Sequence, residues 1–124
     1  MVQIIAIAAG GAVGALLRYW TSVSVHSLLG QEFPYGTLTV NVVGSLMMGF
    51  LYILLVEKMI VSAEWRAVLL IGLLGAFTTF STFSLETLNL FEQGEQIRAV
   101  MNIFLSVGLC LGAAWLGMLA GRQI

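Results

Sequence analysis

Residues 67–85 read AVLLIGLLGAFTTFSTFSL, nineteen positions without an ionisable side chain. A helix needs about 20 largely apolar residues to cross the hydrocarbon core of a bilayer, so this stretch is long enough to span one. Its second half is unusual. Gly72 and Gly75 are followed by five hydroxyls within the seven positions Thr78, Thr79, Phe80, Ser81, Thr82, Phe83 and Ser84. Hydroxyls compete for backbone carbonyls and glycine weakens a helix, which predicts an interruption near Gly75 to Thr79. The competing expectation is an intact helix whose hydroxyls bond back to their own i−4 carbonyls. Broken helices are tolerated at membrane depth where they are buried in protein or line a cavity. There they expose carbonyls and amides that can hold ions.

Three more stretches have the same character. Met1 to Leu17 is uncharged and stays apolar past Arg18 to Leu29, and Gly36 to Val56 and Ala99 to Gly121 are also uncharged. Four helices are therefore predicted, over approximately 2–29, 36–56, 66–91 and 98–121, in one domain covering 1–124. Polar connectors separate them, and Pro34, the only proline, marks the start of the second helix. Continuous rather than alternating apolar runs exclude a β-barrel. Met1 to Leu17 lacks a basic start and an evident cleavage site, so it is read as a retained helix.

Composition agrees. The chain is 60% hydrophobic and 9% charged, with a mean hydropathy of +1.02. A soluble domain carries about 25% charged residues, and one of 124 residues could not bury this much apolar surface. The solvent is therefore the lipid bilayer. A net charge of −1 with no basic patch excludes nucleic acid as a partner. A single cysteine, Cys110, allows no internal disulfide and no cysteine metal cluster.

An even number of helices puts both termini on one side. That face carries Lys58, Arg66 and Arg122; the other carries Arg98, and Arg18 if it is counted there. The positive-inside bias is nearly absent. Either few charges give a noisy count, or the chain inserts in both orientations and pairs head to tail. Small-xxx-small pairs at Gly10/Gly14, Ser45/Gly49, Gly108/Gly112 and Gly117/Gly121 allow helix backbones to approach closely, within a subunit or across an interface.

The candidate functional residues cluster in the third span. Phe77, Phe80 and Phe83 recur at i, i+3 and i+6 and are expected on or near one face, interleaved with hydroxyls. A phenyl ring has a positive edge, so such a strip could pass a small anion between ring edges and hydrogen-bond donors, although packing is the commoner use of phenylalanine. Asn41 places an amide inside the second span, as donor to a ligand or as glue between helices. Asn102, Ser106 and Cys110 fall at i, i+4 and i+8, as a wet track or a packing seam. Arg18 could mark a vestibule or snorkel to the headgroups, and Glu86 could cap, pair or titrate. His26 has no second metal ligand at a helpful spacing. The chain has no aspartate, no His–carboxylate pairing and no nucleotide-cradling glycine loop, so it is not read as an enzyme.

Three blocks carry a family resemblance. Residues 10–19 (GGAVGALLRY), 36–45 (GTLTVNVVGS) and 75–86 (GAFTTFSTFSLE) resemble the signature segments of the Fluc (CrcB) fluoride channels, and the likeness extends to length and helix count. It implies an all-α antiparallel homodimer of dual topology in the bacterial inner membrane, with four transmembrane helices per subunit, the third broken, and fluoride pores along the dimer. It implies that Phe80 and Phe83 line the pore with Asn41, that Ser81 and Thr82 belong to the same hydroxyl strip, and that Arg18 lies in the aqueous vestibule. A structural sodium ion, Na+, would be held on the dimer axis by backbone carbonyls of Gly75 and Thr78. Asn102 and Ser106 would continue a polar track, although the family often has another polar residue in place of Asn102 and a hydroxyl where Cys110 stands. The implied role is passive fluoride export. The rival is a small proton-coupled multidrug exporter, but those proteins rely on a glutamate embedded in the first helix, which is absent here.

Overall fold

The computed structural model describes Met1 to Ile124, and its regular structure is entirely helical. Helix α1 runs Val2–Leu29. Helix α2, Tyr35–Tyr52, continues through wide π-type turns at Ile53–Glu57, where the Lys58 amide donates to the Ile53 carbonyl. The third span is composite. A short helix α3 (Ala63–Arg66) leads into π-type turns over Ala67–Leu74, then one turn of helix α4 (Gly75–Phe77), and after two extended residues helix α5 (Phe80–Glu92). Helix α6 runs Gln96–Arg122. The four spans have 28, 23, 30 and 27 residues, each long and apolar enough to cross a bilayer. At about 1.5 Å per residue, each exceeds the roughly 30 Å hydrocarbon thickness.

The third span begins at Ala63 rather than at residue 66 because Ser62 starts it. The Trp65 amide donates to the Ser62 hydroxyl at 3.5 Å, a side-chain cap that draws the polar residues Glu64 and Arg66 into the first turn.

Packing is built on two close helix crossings. One joins α1 to the π-type segment, and the other joins α2 to α6. Both depend on missing side chains. A Cβ on Gly14 would collide with the Leu73 carbonyl, one on Gly117 with the Leu46 carbonyl, and one on Gly49 with the Ala114 carbonyl. The Gly10/Gly14, Ser45/Gly49 and Gly117/Gly121 pairs therefore serve seams inside the subunit, whereas Gly108 and Gly112 look onto open space. Only 24 of 124 residues are buried, and Trp20, Phe104, Leu111 and Trp115 are among the large apolar side chains left exposed. A water-soluble domain could not leave so much apolar surface bare, whereas lipid tails solvate it without cost.

Charged side chains gather at the ends of the spans. Arg98 reaches Glu32 at 3.6 Å and Glu95 at 3.8 Å, while Arg122 reaches Glu57 at 3.8 Å. Lys58 donates to the Gly121 carbonyl at 3.1 Å, satisfying the C-terminus of α6.

Candidate ion-binding site

Thr78 (φ −89°, ψ 158°) and Thr79 (φ −152°, ψ 120°) separate α4 from α5 near the middle of the third span, Ala63–Glu92. Extended backbone is easy for threonine, whose branched Cβ favours it. The difficulty lies in the backbone polar groups freed by leaving the helix, which lipid cannot satisfy. The chain resolves this with Asn41 of α2. Its Oδ1 accepts from the Thr79 amide at 2.8 Å, and its Nδ2 donates to the Thr79 carbonyl at 2.9 Å. One carboxamide thus replaces the ladder partner that a neighbouring strand would supply.

Thr79 also starts α5. Its hydroxyl accepts from the Thr82 amide at 3.2 Å and donates to the Thr82 hydroxyl at 3.1 Å, and the Ser81 hydroxyl lies 3.3 Å away. These bonds redirect two amide donors. In a continuous helix the Thr79 amide would serve the Gly75 carbonyl and the Thr82 amide would serve the Thr78 carbonyl. Here the first is held by Asn41 and the second by the Thr79 hydroxyl. The carbonyls of Gly75 and Thr78 thereby lose their helical donors. The alternative use of the hydroxyls occurs alongside: Thr78 donates to the Leu74 carbonyl at 3.1 Å, Ser84 to the Phe80 carbonyl at 3.0 Å and Thr87 to the Phe83 carbonyl at 2.7 Å.

The extended residues also change the phenylalanine face. Phe80 and Phe83 form a tilted pair with centroids 5.3 Å apart and planes at 46°. Phe83 is 8% exposed and Phe80 76%. Phe77 does not join them on one helical face, contrary to its i, i+3 spacing, because the helix does not continue from it to Phe80. It lies buried before the interruption, against Gly44 of α2, where a Cβ would be 3.2 Å from its ring and would collide with Thr78.

A cavity of about 410 Å³ opens beside the interruption, walled by Asn41, Thr79, Phe80, Phe83, Ser106 and Cys110 among others. It contains no ionisable side chain other than the Cys110 thiol. The five pore residues singled out above by sequence fall into two groups here. Asn41, Phe80 and Phe83 line the cavity, while Ser81 and Thr82 flank the cap and stand outside its wall. Ser106 lines it as well, and Asn102 lies behind. The Ser106 hydroxyl donates to Asn102 Oδ1 at 3.3 Å, and Asn102 Nδ2 donates to the Thr87 hydroxyl at 2.9 Å, all three residues being buried. The sequence reading missed Thr87. Its signal was the continuation of the hydroxyl spacing one turn past Phe83. Arg18 is half-buried, makes no hydrogen bond or ion pair, and lines neither this cavity nor the smaller polar one at the end of the third span.

The fold and the site define a class: a small four-span membrane protein with a polar, phenylalanine-lined site where its third span is interrupted. The chain belongs to the CrcB-like protein family (Camphor Resistance, CrcB), which matches residues 5–118. It is 51% identical over 122 residues to the fluoride-specific ion channel FluC of Methylococcus capsulatus, a match covering 98% of this chain and 54% of that protein. It is 47% identical to the protein of the same name from Coxiella burnetii strain Dugway, over 93% of this chain and 94% of that one. It is also 47% identical to that of Geobacter sulfurreducens over the full length of both.

Proposed function

We propose that this chain is a subunit of a fluoride-selective channel that lets F− leave the cytoplasm passively across the bacterial inner membrane. Its relatives carry that name, and one feature of the chain supports it most directly: aromatic rings, a held carboxamide and hydroxyls meet at a charge-free cavity beside the interrupted span. Fluoride is small and strongly hydrated, so a pore must offer dense donors in place of its water. Asn41 keeps one amide N–H beyond the one given to Thr79. The edges of Phe80 and Phe83 present positive potential, and Ser81 and Thr82 extend the donors along α5. Chloride is larger and gains less from so tight a set. A membrane potential of 100 mV adds about 2.3 kcal/mol to the movement of one charge.

The working unit in this reading is an antiparallel homodimer. The nearly balanced basic residues favour insertion in both orientations. Gly108 and Gly112, open on the surface of α6, suit the approach of a second helix. The break in the third span would face the dimer axis, where carbonyls of Gly75 and Thr78 from both subunits would hold a sodium ion. Their lost helical donors fit that role, because an oxygen without a hydrogen-bond donor is free to bind a cation. When bound, the ion would supply fixed positive charge and tie the subunits together. Arg18 would stand in the vestibule, and Ser106 and Asn102 would carry the polar wall across to α6.

Fluoride efflux from proteoliposomes, followed with a fluoride electrode, tests the assignment. Phe80→Ile and Phe83→Ile should each abolish efflux while the dimer survives on size exclusion; wild-type flux in both would contradict it. Exhaustive dialysis against sodium-free buffer should silence or dissociate the dimer, and full activity afterwards would remove sodium from the account.

A further inference from the structure

A second cavity has different chemistry. It lies where the last turns of α1, the connector 30–34 and the second half of α5 meet. It holds about 210 Å³ and is walled chiefly by His26, Gln31, Glu32, Glu86, Asn89 and Gln93. Two buried side-chain polar atoms in the chain lack a hydrogen-bond partner, His26 Nε2 and Glu86 Oε1, and both belong to residues of this one cavity. Such atoms are normally paired, and each one left alone calls for an explanation. The imidazole is also confined: a Cβ on Gly36 of α2 would lie 2.9 Å from His26 Nε2.

Glu86 follows Phe83 by three residues and Thr82 by four on α5, so it stands one turn beyond the strip assigned above to the ion, on the same side of the helix. We propose that His26 and Glu86 share a proton through water in this cavity, and that the charge of the pair controls how readily an anion reaches that strip. The second half of this inference rests on the fluoride reading; the first half does not.

The charges around the pair are few. The connector contributes Glu32, which is held by Arg98 of α6 at 3.6 Å, and Arg98 also lies 3.8 Å from Glu95. Helix α2 contributes Gly36 and no charge, while Gln31, Asn89 and Gln93 are neutral amides. Imidazole is the side chain whose charge changes in the neutral to mildly acidic range. When His26 is neutral, the Glu86 carboxylate makes the pair negative and repels an approaching anion. When His26 is protonated, the pair is neutral and the repulsion ends. Neither side chain touches the ion. Both act through charge, so flux should rise as pH falls.

His26 is the only histidine, so selective 15N-histidine labelling of the full chain in bilayers reports on this one ring. In Glu86→Gln the carboxylate partner is gone, and the 15N signals of the ring, which report where its protons sit, should change at fixed pH. Signals indifferent to the substitution overturn the shared proton. For the second half, wild-type proteoliposomes with equal pH on both sides should pass fluoride about twofold to fourfold faster at about pH 6 than at about pH 8, after subtraction of the leak from protein-free vesicles. His26→Gln should flatten that profile while retaining flux. Equal pH profiles in wild type and His26→Gln overturn control by the pair. A wild-type protein that passes no fluoride at either pH overturns control by the pair together with the fluoride reading, and the NMR comparison still decides the proton sharing.

Discussion

The crossing of α2 with α6 and the interruption at Thr78–Thr79 solve opposite problems within one bundle. At the crossing every backbone group stays inside its own helix, and association requires only that side chains be absent at Gly49 and Gly117. At the interruption backbone groups are released, and a particular side chain 38 residues away, Asn41, has to be present with both ends of its carboxamide aimed at Thr79. The first is a rule of exclusion, met by any pair of glycines at the right spacing. The second is a rule of provision, met by one residue type in one orientation. Cohesion in this molecule comes from the first and chemistry from the second.

That contrast can be broken most severely at the seams. Gly49→Leu or Gly117→Leu should leave no folded protein extractable in mild detergent, since the added side chain meets backbone rather than a movable side chain. Gly108→Leu, on the open side of α6, should leave the subunit folded, so a comparison of the three by circular dichroism separates internal seams from the outer face. Asn41→Leu removes both bonds to Thr79 at once. With about 1–3 kcal/mol for each backbone group left unpaired, a loss of about 2–6 kcal/mol is expected in thermal unfolding, with the fold retained at low temperature. Thr87→Val keeps the shape but takes the acceptor from Asn102 Nδ2. It should cost about 1–2 kcal/mol in the same measurement and should be felt at Ser106 through the Asn102 carbonyl.

The two regions were not equally legible. Span lengths and the glycine pairs follow from hydropathy and spacing, because lipid imposes one local rule on every apolar run. The third span was harder. Hydroxyl density announced trouble near Thr78 but could not choose between back-bonding and interruption, and the chain does both: Thr78 bonds to Leu74 while Thr79 turns to Asn41. Which carboxamide would complete the break depends on a contact between distant segments, and no local pattern carries that. The same is true of Phe77. Its spacing to Phe80 is helical, yet the two extended residues between them send the rings apart. The hydroxyl spacing that continues to Thr87 marks it as one more member of the strip, but its bond to Asn102 on another helix is a tertiary contact that the spacing does not carry.

The decisive quantity is the ratio of fluoride to chloride release. Purified protein reconstituted in vesicles loaded with equal fluoride and chloride should discharge fluoride within the electrode trace while chloride stays inside. Equal release of the two halides, or retention of both, would contradict the view that the held carboxamide, hydroxyls and phenyl edges beside Thr79 replace the water of a small halide.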